Sequence, residues 1–266
     1  MTKRHILTGI HYFYEKKVST TLKSTFNRKQ REFEEREQLF IRIADHILSK
    51  DGEAELNMDK LATNSEYSKG TVYKHFSCKE DLLTAIYYEK FHVLFRLFKK
   101  VIAIPMSTRD RQLGIHVAHS LFDYRYFNES ARLMSPNTTS MQGKISPRRK
   151  VKLEELQMEF QNLLLNLIQE GIDVGDIQLP VGITADMVAL ANQAFSFGMI
   201  TMMYGSCKTP ESYESFMYIH LVSVSRLLDG YNWRPFSEEC DLKSVVRKVE
   251  EALKDDFDEL LDCGAT

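Results

Sequence analysis

Apolar residues return every three or four positions along nearly the whole of this 266-residue chain, and no segment joins strict alternation to a hairpin turn. A period near 3.6 lines up one face of a helix, so the chain is expected to fold as an all-α protein. Its punctuation agrees. Pro105 closes the apolar stretch that begins near Lys79, and Ser146-Pro147 and Thr209-Pro210 each set a capping hydroxyl before a proline at the first helical position. Gly171 and Gly230 follow apolar runs, as helix-ending glycines do. Helices are expected at about 33–50, 57–64, 68–76, 79–104, 109–126, 147–170, 184–205, 210–229 and 241–261, with a shorter one near 129–134. Residues 135–146 and 171–183 read as loops.

A chain of this length can bury a sizeable core without disulfides or metals. Its four cysteines (Cys78, Cys207, Cys240 and Cys263) are scattered with no C-x-x-C pair, which argues against a zinc site and fits a reducing cytoplasm. No run of about 18 apolar residues offers a membrane span, and the basic first residues lack the features of a signal peptide. The net charge of −2 hides an asymmetry. Residues 1–79 hold 15 Lys and Arg against 11 Asp and Glu, whereas residues 80–266 hold 20 against 26. A polyanion would therefore dock at the N-terminal end.

Residues 43–83 supply a motif for that end. Ile43, Ile47 and Leu48 give one helix an apolar face, and Asp51-Gly52 ends it. Asn57 can cap a second, short helix that turns Met58, Leu61 and Ala62 inward. After a four-residue polar break, Ser68 can cap a third helix whose Val72 and Phe76 share a buried face. Lys69, Gly70, Thr71, Tyr73, Lys74 and His75 are left outside. Such a small, polar, basic surface on a short helix suits the DNA major groove: Gly70 and Thr71 permit close approach to base edges, and hydroxyls and cations reach phosphates. A helix-turn-helix over roughly 57–77 follows.

Over about residues 39–83, and most of all in TVYKHF followed by SCKEDLL, the chain resembles the tetracycline-repressor (TetR) family of bacterial transcription regulators. The resemblance implies a three-helix DNA-binding head and a larger helical body for ligand binding and dimerisation. Expected divisions are a basic extension over 1–31, the head over 32–82 and the body over 83–266. By position, Lys69, Gly70 and Thr71 look like the base-reading end of the recognition helix, Tyr73 and His75 match positions that clasp backbone phosphates, and Lys74 occupies a variable position. Lys79 matches the lysine that opens the fourth helix, where ammonium and helix N-terminus together favour a phosphate. Asn57 and Ser68 complete the expected DNA-binding set. One departure stands out: where the family usually has small residues such as Ala-Gly, this chain has Ser65-Glu66. Glu66 must either adopt a positive φ at a cost or change the turn.

The extension is unusual for the family. Residues 1–31 carry eight Lys and Arg against Glu15 alone, and Ile10, Tyr14, Val18, Leu22 and Phe26 recur every four residues, so part of it is expected to be helical. It reads as an arm that adds phosphate or minor-groove contacts, as a frayed tail, or as the product of a start codon assigned too early.

In the body, segments 184–205 and 210–229 are apolar on more than one face. Ala191, Ala194 and Gly198 form a small-residue stripe on the first. Phe216, Ile219, Ser223 and Leu227 form one stripe on the second, and Met217, Leu221, Val224 and Leu228 another. One side can face the chain's own core and the other a second copy, which is the homodimer the resemblance implies. Phe127, Met134, Met202 and Met203 are soft, large side chains of the kind that line adaptable cavities or simply fill a core, and Phe122, Met158, Phe195 and Met199 are the ligand-binding candidates among them. The resemblance implies a small apolar or amphipathic ligand there. His116-x-x-His119 shares a helical face, but without nearby Cys or an H-E-x-x-H pattern it reads as ordinary histidine, and neither metal nor other cofactor is expected. The stretch 241–266 reads as an amphipathic helix that packs on the body or meets a partner.

These readings converge on a cytoplasmic, nucleoid-associated DNA-binding regulator, taken as a repressor that a ligand releases from a near-palindromic operator, with the fourth helix as the lever. The alternative is an activator, or a DNA-tethered regulator of another cellular machine with no small-molecule inducer. An enzyme is not indicated: there is no Gly-rich phosphate loop, nucleophile elbow or spaced carboxylate pair.

Overall fold

The computed structural model describes residues 4–126, 143–206 and 209–263. Among them are nine helices and no strand: α1 (Arg4–Asp51), α2 (Met58–Ser65), α3 (Lys69–His75), α4 (Lys79–Ile102), α5 (Thr108–Tyr126), α6 (Pro147–Asp173), α7 (Ala185–Ser206), α8 (Pro210–Gly230) and α9 (Leu242–Cys263). The all-α expectation holds. The short helix expected near 129–134, most of the loop expected over 135–146, and Phe127, Met134 and Cys207 lie outside the described residues.

Three local expectations change. The first helix begins at Arg4 rather than near 33, because no proline or glycine interrupts the chain between Ile10 and Asp51. Pairs one turn apart, such as Arg28–Glu32 (3.5 Å) and Gln30–Glu34 (2.8 Å), support its solvated stretch. Gly52, at φ +87°, then ends it as expected. Gly171 does not end α6. A Cβ there would meet Ile177 Cδ1 at 2.6 Å, so it is a packing glycine. Thr209 caps α8 through a reciprocal bond with Ser212, whereas the Ser146 hydroxyl makes no capping bond to α6.

Two hydrophobic clusters share α4. Leu82, Leu83, Ala85 and Ile86 complete a head core that begins at Phe40 and takes in Leu61, Val72 and Phe76. Leu94, Phe95, Leu97, Phe98 and Val101, further along the same helix, belong to the body core. Within the body α5 is the central helix, packed against α4, α6, α7, α8 and α9. Gly114 makes its approach to α4 and α9 feasible, since a Cβ would sit 2.8 Å from Val101 and 3.1 Å from Val249. The N-terminus of α5 is pinned by Arg109, fully buried, which donates to the backbone oxygens of Trp233 (2.5 Å) and Ser225 (2.7 Å) and pairs with Asp229 (2.8 Å). The amphipathic C-terminal helix α9 packs on the body, the first of its two expected placements: Val245, Val249 and Leu253 are buried in the body core.

Candidate nucleic-acid interface

The site is assembled from caps and one strained turn. Asn57 accepts from the N–H groups of Asp59 (3.1 Å) and Lys60 (2.9 Å), so its side-chain oxygen is committed to starting α2. Glu66 ends that helix in the left-handed region (φ 58°, ψ 22°), which is the first of its two options. Its N–H and that of Tyr67 return to the carbonyls of Thr63 (3.3 Å) and Ala62 (3.2 Å). Those bonds hold a conformation that costs about 1–2 kcal/mol for a residue with a Cβ. Ser68 then caps α3 by accepting from Thr71 N–H, and the two hydroxyls lie 2.9 Å apart.

The turn delivers α3 with one buried and one open face. Val72 and Phe76 are fully buried. Lys69, Gly70, Tyr73 and Lys74 are exposed, Tyr73 to 51%, and Thr71 is half-buried. A Cβ at Gly70 would meet only Ser68 Oγ, at an ordinary 3.9 Å, so its missing side chain keeps the surface low rather than relieving a clash. Two of the cations are engaged within the chain: Lys69 pairs with Asp59 at 2.5 Å, and Lys79 donates to the backbone oxygen of Glu53 at 2.5 Å. The first is a solvated pair that little energy holds, so Lys69 is available to a phosphate or base.

His75 is the correction. It was expected on the outer face, but it is buried, stacked on Phe33 at 3.9 Å between ring centroids and edge-on to Phe40. Helical geometry explains this: positions 75 and 76 flank position 72 on the same side, so a helix that buries Val72 and Phe76 draws in residue 75 once another element covers it. That element is the part of α1 around Phe33. Burial pushes the His75 pKa below its ordinary value, opposed by Glu37, whose carboxylate lies 3.4 Å from Nδ1.

A second feature went unread in the sequence. The start of α6 reaches across to the head and grips the end of α3. Arg149, buried, donates through Nε to Asp81 (3.2 Å) and through Nη2 to the backbone oxygen of His75 (3.4 Å), with its guanidinium 5.0 Å above the Phe76 ring. Arg148 pairs with Glu37 at 2.5 and 2.8 Å. Asp81 also accepts from the N–H groups of Ser146 (3.0 Å) and Ser77 (3.1 Å), and Lys144 pairs with Glu80 at 2.5 Å. Burial pushes the Asp81 carboxyl up, yet these N–H groups and Arg149 outweigh it and hold its pKa below the ordinary value. The sequence did carry a signal. An Arg-Arg pair in the first turn of a helix opposes the helix dipole, and so calls for acidic partners from elsewhere.

Of the ligand-binding candidates, Met158 stands apart from the other three. Phe122 is buried in the body core and Phe195 packs against it, 5.8 Å from the His220 ring, with Met199 half-buried one turn along the same helix. Met158 is 62% exposed, because the inward stripe of α6 runs through Leu153, Leu156, Phe160 and Leu164 and leaves residue 158 on the opposite side. His116 and His119 also diverge. The first faces Gln112 and Ser196, the second Asp123 and Phe98, and no metal-holding cluster occurs among the described residues.

On the outer side of α7 and α8, Met187, Leu190, Phe197, Met202, Tyr218 and Ile219 are each more than half exposed, and Ala194 and Gly198 lie open among them. Leu221, Val224 and Leu228 on the inner side of α8 are buried. Among the described residues no helix is long and apolar enough to cross a membrane.

Residues 40–86 match the family model described as bacterial regulatory proteins, tetR family. Among solved structures, a tetR-family transcriptional regulator from Pectobacterium atrosepticum is similar at 18% identity and a TM-score of 0.58, covering 75% of this chain and 95% of its own. A tetR-family regulatory protein from Rhodococcus RHA1 follows at 19% and 0.54, covering 73% and 96%. The fatty acid degradation regulator FadR from Bacillus halodurans has 17% and 0.51, covering 70% and 94%. No curated protein matches the chain.

Proposed function

We propose that this chain, whose residues 40–86 match the model of the tetR family of bacterial regulatory proteins, acts as a homodimeric repressor, released from a near-palindromic operator by a small ligand in its body. The observation that carries this reading is the pairing of two open faces: the polar, basic outer side of α3 and the apolar outer side of α7 and α8. The apolar side is the kind of contiguous surface that a second copy covers. Two-fold symmetry then sets two recognition helices about one helical turn of DNA apart, roughly 34–36 Å.

Lys69, Gly70, Thr71 and Lys74 would meet base edges, and Tyr73, Lys79 and the exposed N-terminal end of α3 would meet phosphates. His75, being buried, is assigned a positioning role in place of a phosphate contact. Release would be a shift between two spacings of the heads. α4, common to both cores, is one route by which the body sets that spacing, and the grip of Arg149 on α3 is a second.

The test combines sedimentation with selection of binding duplexes from a random library. Expected are a dimer in the absence of DNA and enriched duplexes with two inverted half-sites. A monomer that binds a single half-site, or a library that enriches no sequence, would sink the proposal.

A further inference from the structure

We propose that the body's ligand is a neutral molecule bearing a hydroxyl group, captured at a polar seam between α5, α7 and α8; this rests on the ligand-responsive reading above. The seam follows from how the helices run. Arg109–Ser225 and Tyr213–Ser120 contacts make α8 antiparallel to α5, and Ser196–His220 together with Met203–Tyr213 make it antiparallel to α7. So α5 and α7 run parallel. Along them lies one hydrogen-bonded chain: Gln112 Nε2 to His116 Nε2 (3.3 Å), His116 Nδ1 to Ser196 Oγ (2.7 Å), Ser196 Oγ to His220 Nε2 (3.4 Å), and His220 Nδ1 to Ser120 Oγ (3.2 Å). All five side chains are buried.

Two atoms at one end of this chain have no partner: Gln112 Oε1 and Asn192 Oδ1, on side chains 3% and 4% exposed. Buried acceptors left unpaired destabilise a fold, and apolar residues of the same size would not. A function explains their presence better than stability does. They also share a level. His116 is paired with Ser196, and Gln112 and Asn192 each lie one helical turn earlier on the two parallel helices, so both carbonyls fall at the same level. The Asn192 amide cannot turn round to hide its oxygen, because its Nδ2 is spent on the Val188 carbonyl at 2.9 Å. Gln112 can. If its amide turns, every bond in the chain reverses donor and acceptor, and it then offers an N–H instead.

That arrangement selects a chemistry. A hydroxyl donates its one hydrogen to Asn192 Oδ1 and, with the Gln112 amide turned, accepts from the Gln112 N–H. A carboxylate could accept from the turned Gln112 amide, but it has no hydrogen for Asn192 Oδ1 and would face that fixed carbonyl oxygen. It would find no free cation in compensation: the Arg109 guanidinium, though its Nε has no partner, is already neutralised by Asp229 and bound to Trp233 and Ser225, and burial keeps His220 neutral down to about pH 4 and holds His116 well below its ordinary value. Phe195 against His220, and Val188 and Ala189 beside Asn192, supply apolar surface for the rest of the molecule. Entry between α5 and the α7–α8 pair would move the two helices that carry the open apolar face, which is how occupancy could reach the spacing of the heads.

The test uses 1-decanol and 2-naphthol against decanoate and 2-naphthoate, on the full chain and on Asn192→Leu, read by thermal unfolding and by release of a selected duplex. Both alcohols are expected to raise the melting temperature and release DNA, and both acids to do neither. Asn192→Leu should melt about 2–4 °C higher without ligand, since an unpaired acceptor is gone, and should lose the response to alcohols. A lower melting temperature for Asn192→Leu, or wild-type protein that answers to neither alcohol, overturns the proposal. Release by the acids, unaffected by Asn192→Leu, would overturn the hydroxyl assignment while leaving the ligand-responsive repressor standing.

Discussion

Replacing Arg149 with Met tests whether the body holds the recognition helix. Asp81 is 1% exposed, and Arg149 is its charged partner. Breaking a buried ion pair by removing one member costs about 3–5 kcal/mol. Here Asp81 would keep two N–H donors, Ser146 at 3.0 Å and Ser77 at 3.1 Å, and the Met side chain would keep the contact with Phe76. Both place the expected loss at the low end, about 3 kcal/mol. Arg148→Met is the control. That pair is half exposed on the arginine side, so its loss should be about 1 kcal/mol or less. Urea unfolding followed by helical circular dichroism gives both numbers, and amide exchange over residues 69–81 reports whether α3 itself has loosened. Asp81→Asn on top of Arg149→Met should recover part of the loss, because it removes the charge left behind. Arg149→Lys should recover little, since one ammonium cannot serve both Asp81 and the His75 carbonyl in the guanidinium's geometry. If Arg149→Met costs less than about 1 kcal/mol and exchange in α3 is unchanged, the contacts of Arg149 do not hold the helix and the second route from body to head falls.

Three further outcomes are expected. Stability should drop on acidification in two stages: the depressed pKa of His220, about 4 against an ordinary 6.5, means its contribution is complete above pH 6.5 and lost as pH falls towards 4, about 2 kcal/mol by pH 5. Asp81, lowered from 3.8, contributes fully above that value and loses its share only below it. Urea midpoints at pH 7 and 5 for wild type and His220→Gln check the first stage, and an equal drop in both proteins would refute it. Glu66→Gly should stabilise by roughly 1 kcal/mol, since glycine adopts φ near 58° without strain, and should tighten DNA binding by removing a negative charge beside the turn. An unaltered urea midpoint would mean that the αL turn is not strained. Tyr73→Phe combined with Lys79→Ala should weaken binding to a selected duplex at least about tenfold in gel-shift titration, the loss of two hydrogen bonds to charged oxygens. Unchanged affinity would remove both residues from the phosphate contacts.

What the sequence determined by itself is whatever depends on neighbours within a turn or two. The period of the apolar residues made the chain all-α, Asn57 and Ser68 placed two helix starts, and Val72 with Phe76 oriented α3. The resemblance over TVYKHF-SCKEDLL added the family and the head, with Glu66 as its one conspicuous departure, now seen in the left-handed conformation. Tertiary structure decided what these elements meet. His75 is inside because Phe33 covers it, forty-two positions upstream on a helix that starts far earlier than its capping signals suggested. Met158 is outside because the inward stripe of α6 is chosen by the helices it packs against. The grip of Arg149 on Asp81 and His75 joins residues 68 and 74 apart, and the seam from Gln112 to His220 brings three helices together. Periodicity specifies a face but not its partner; pairing of buried charges and amides is settled only when helices distant in sequence exclude water from the same place.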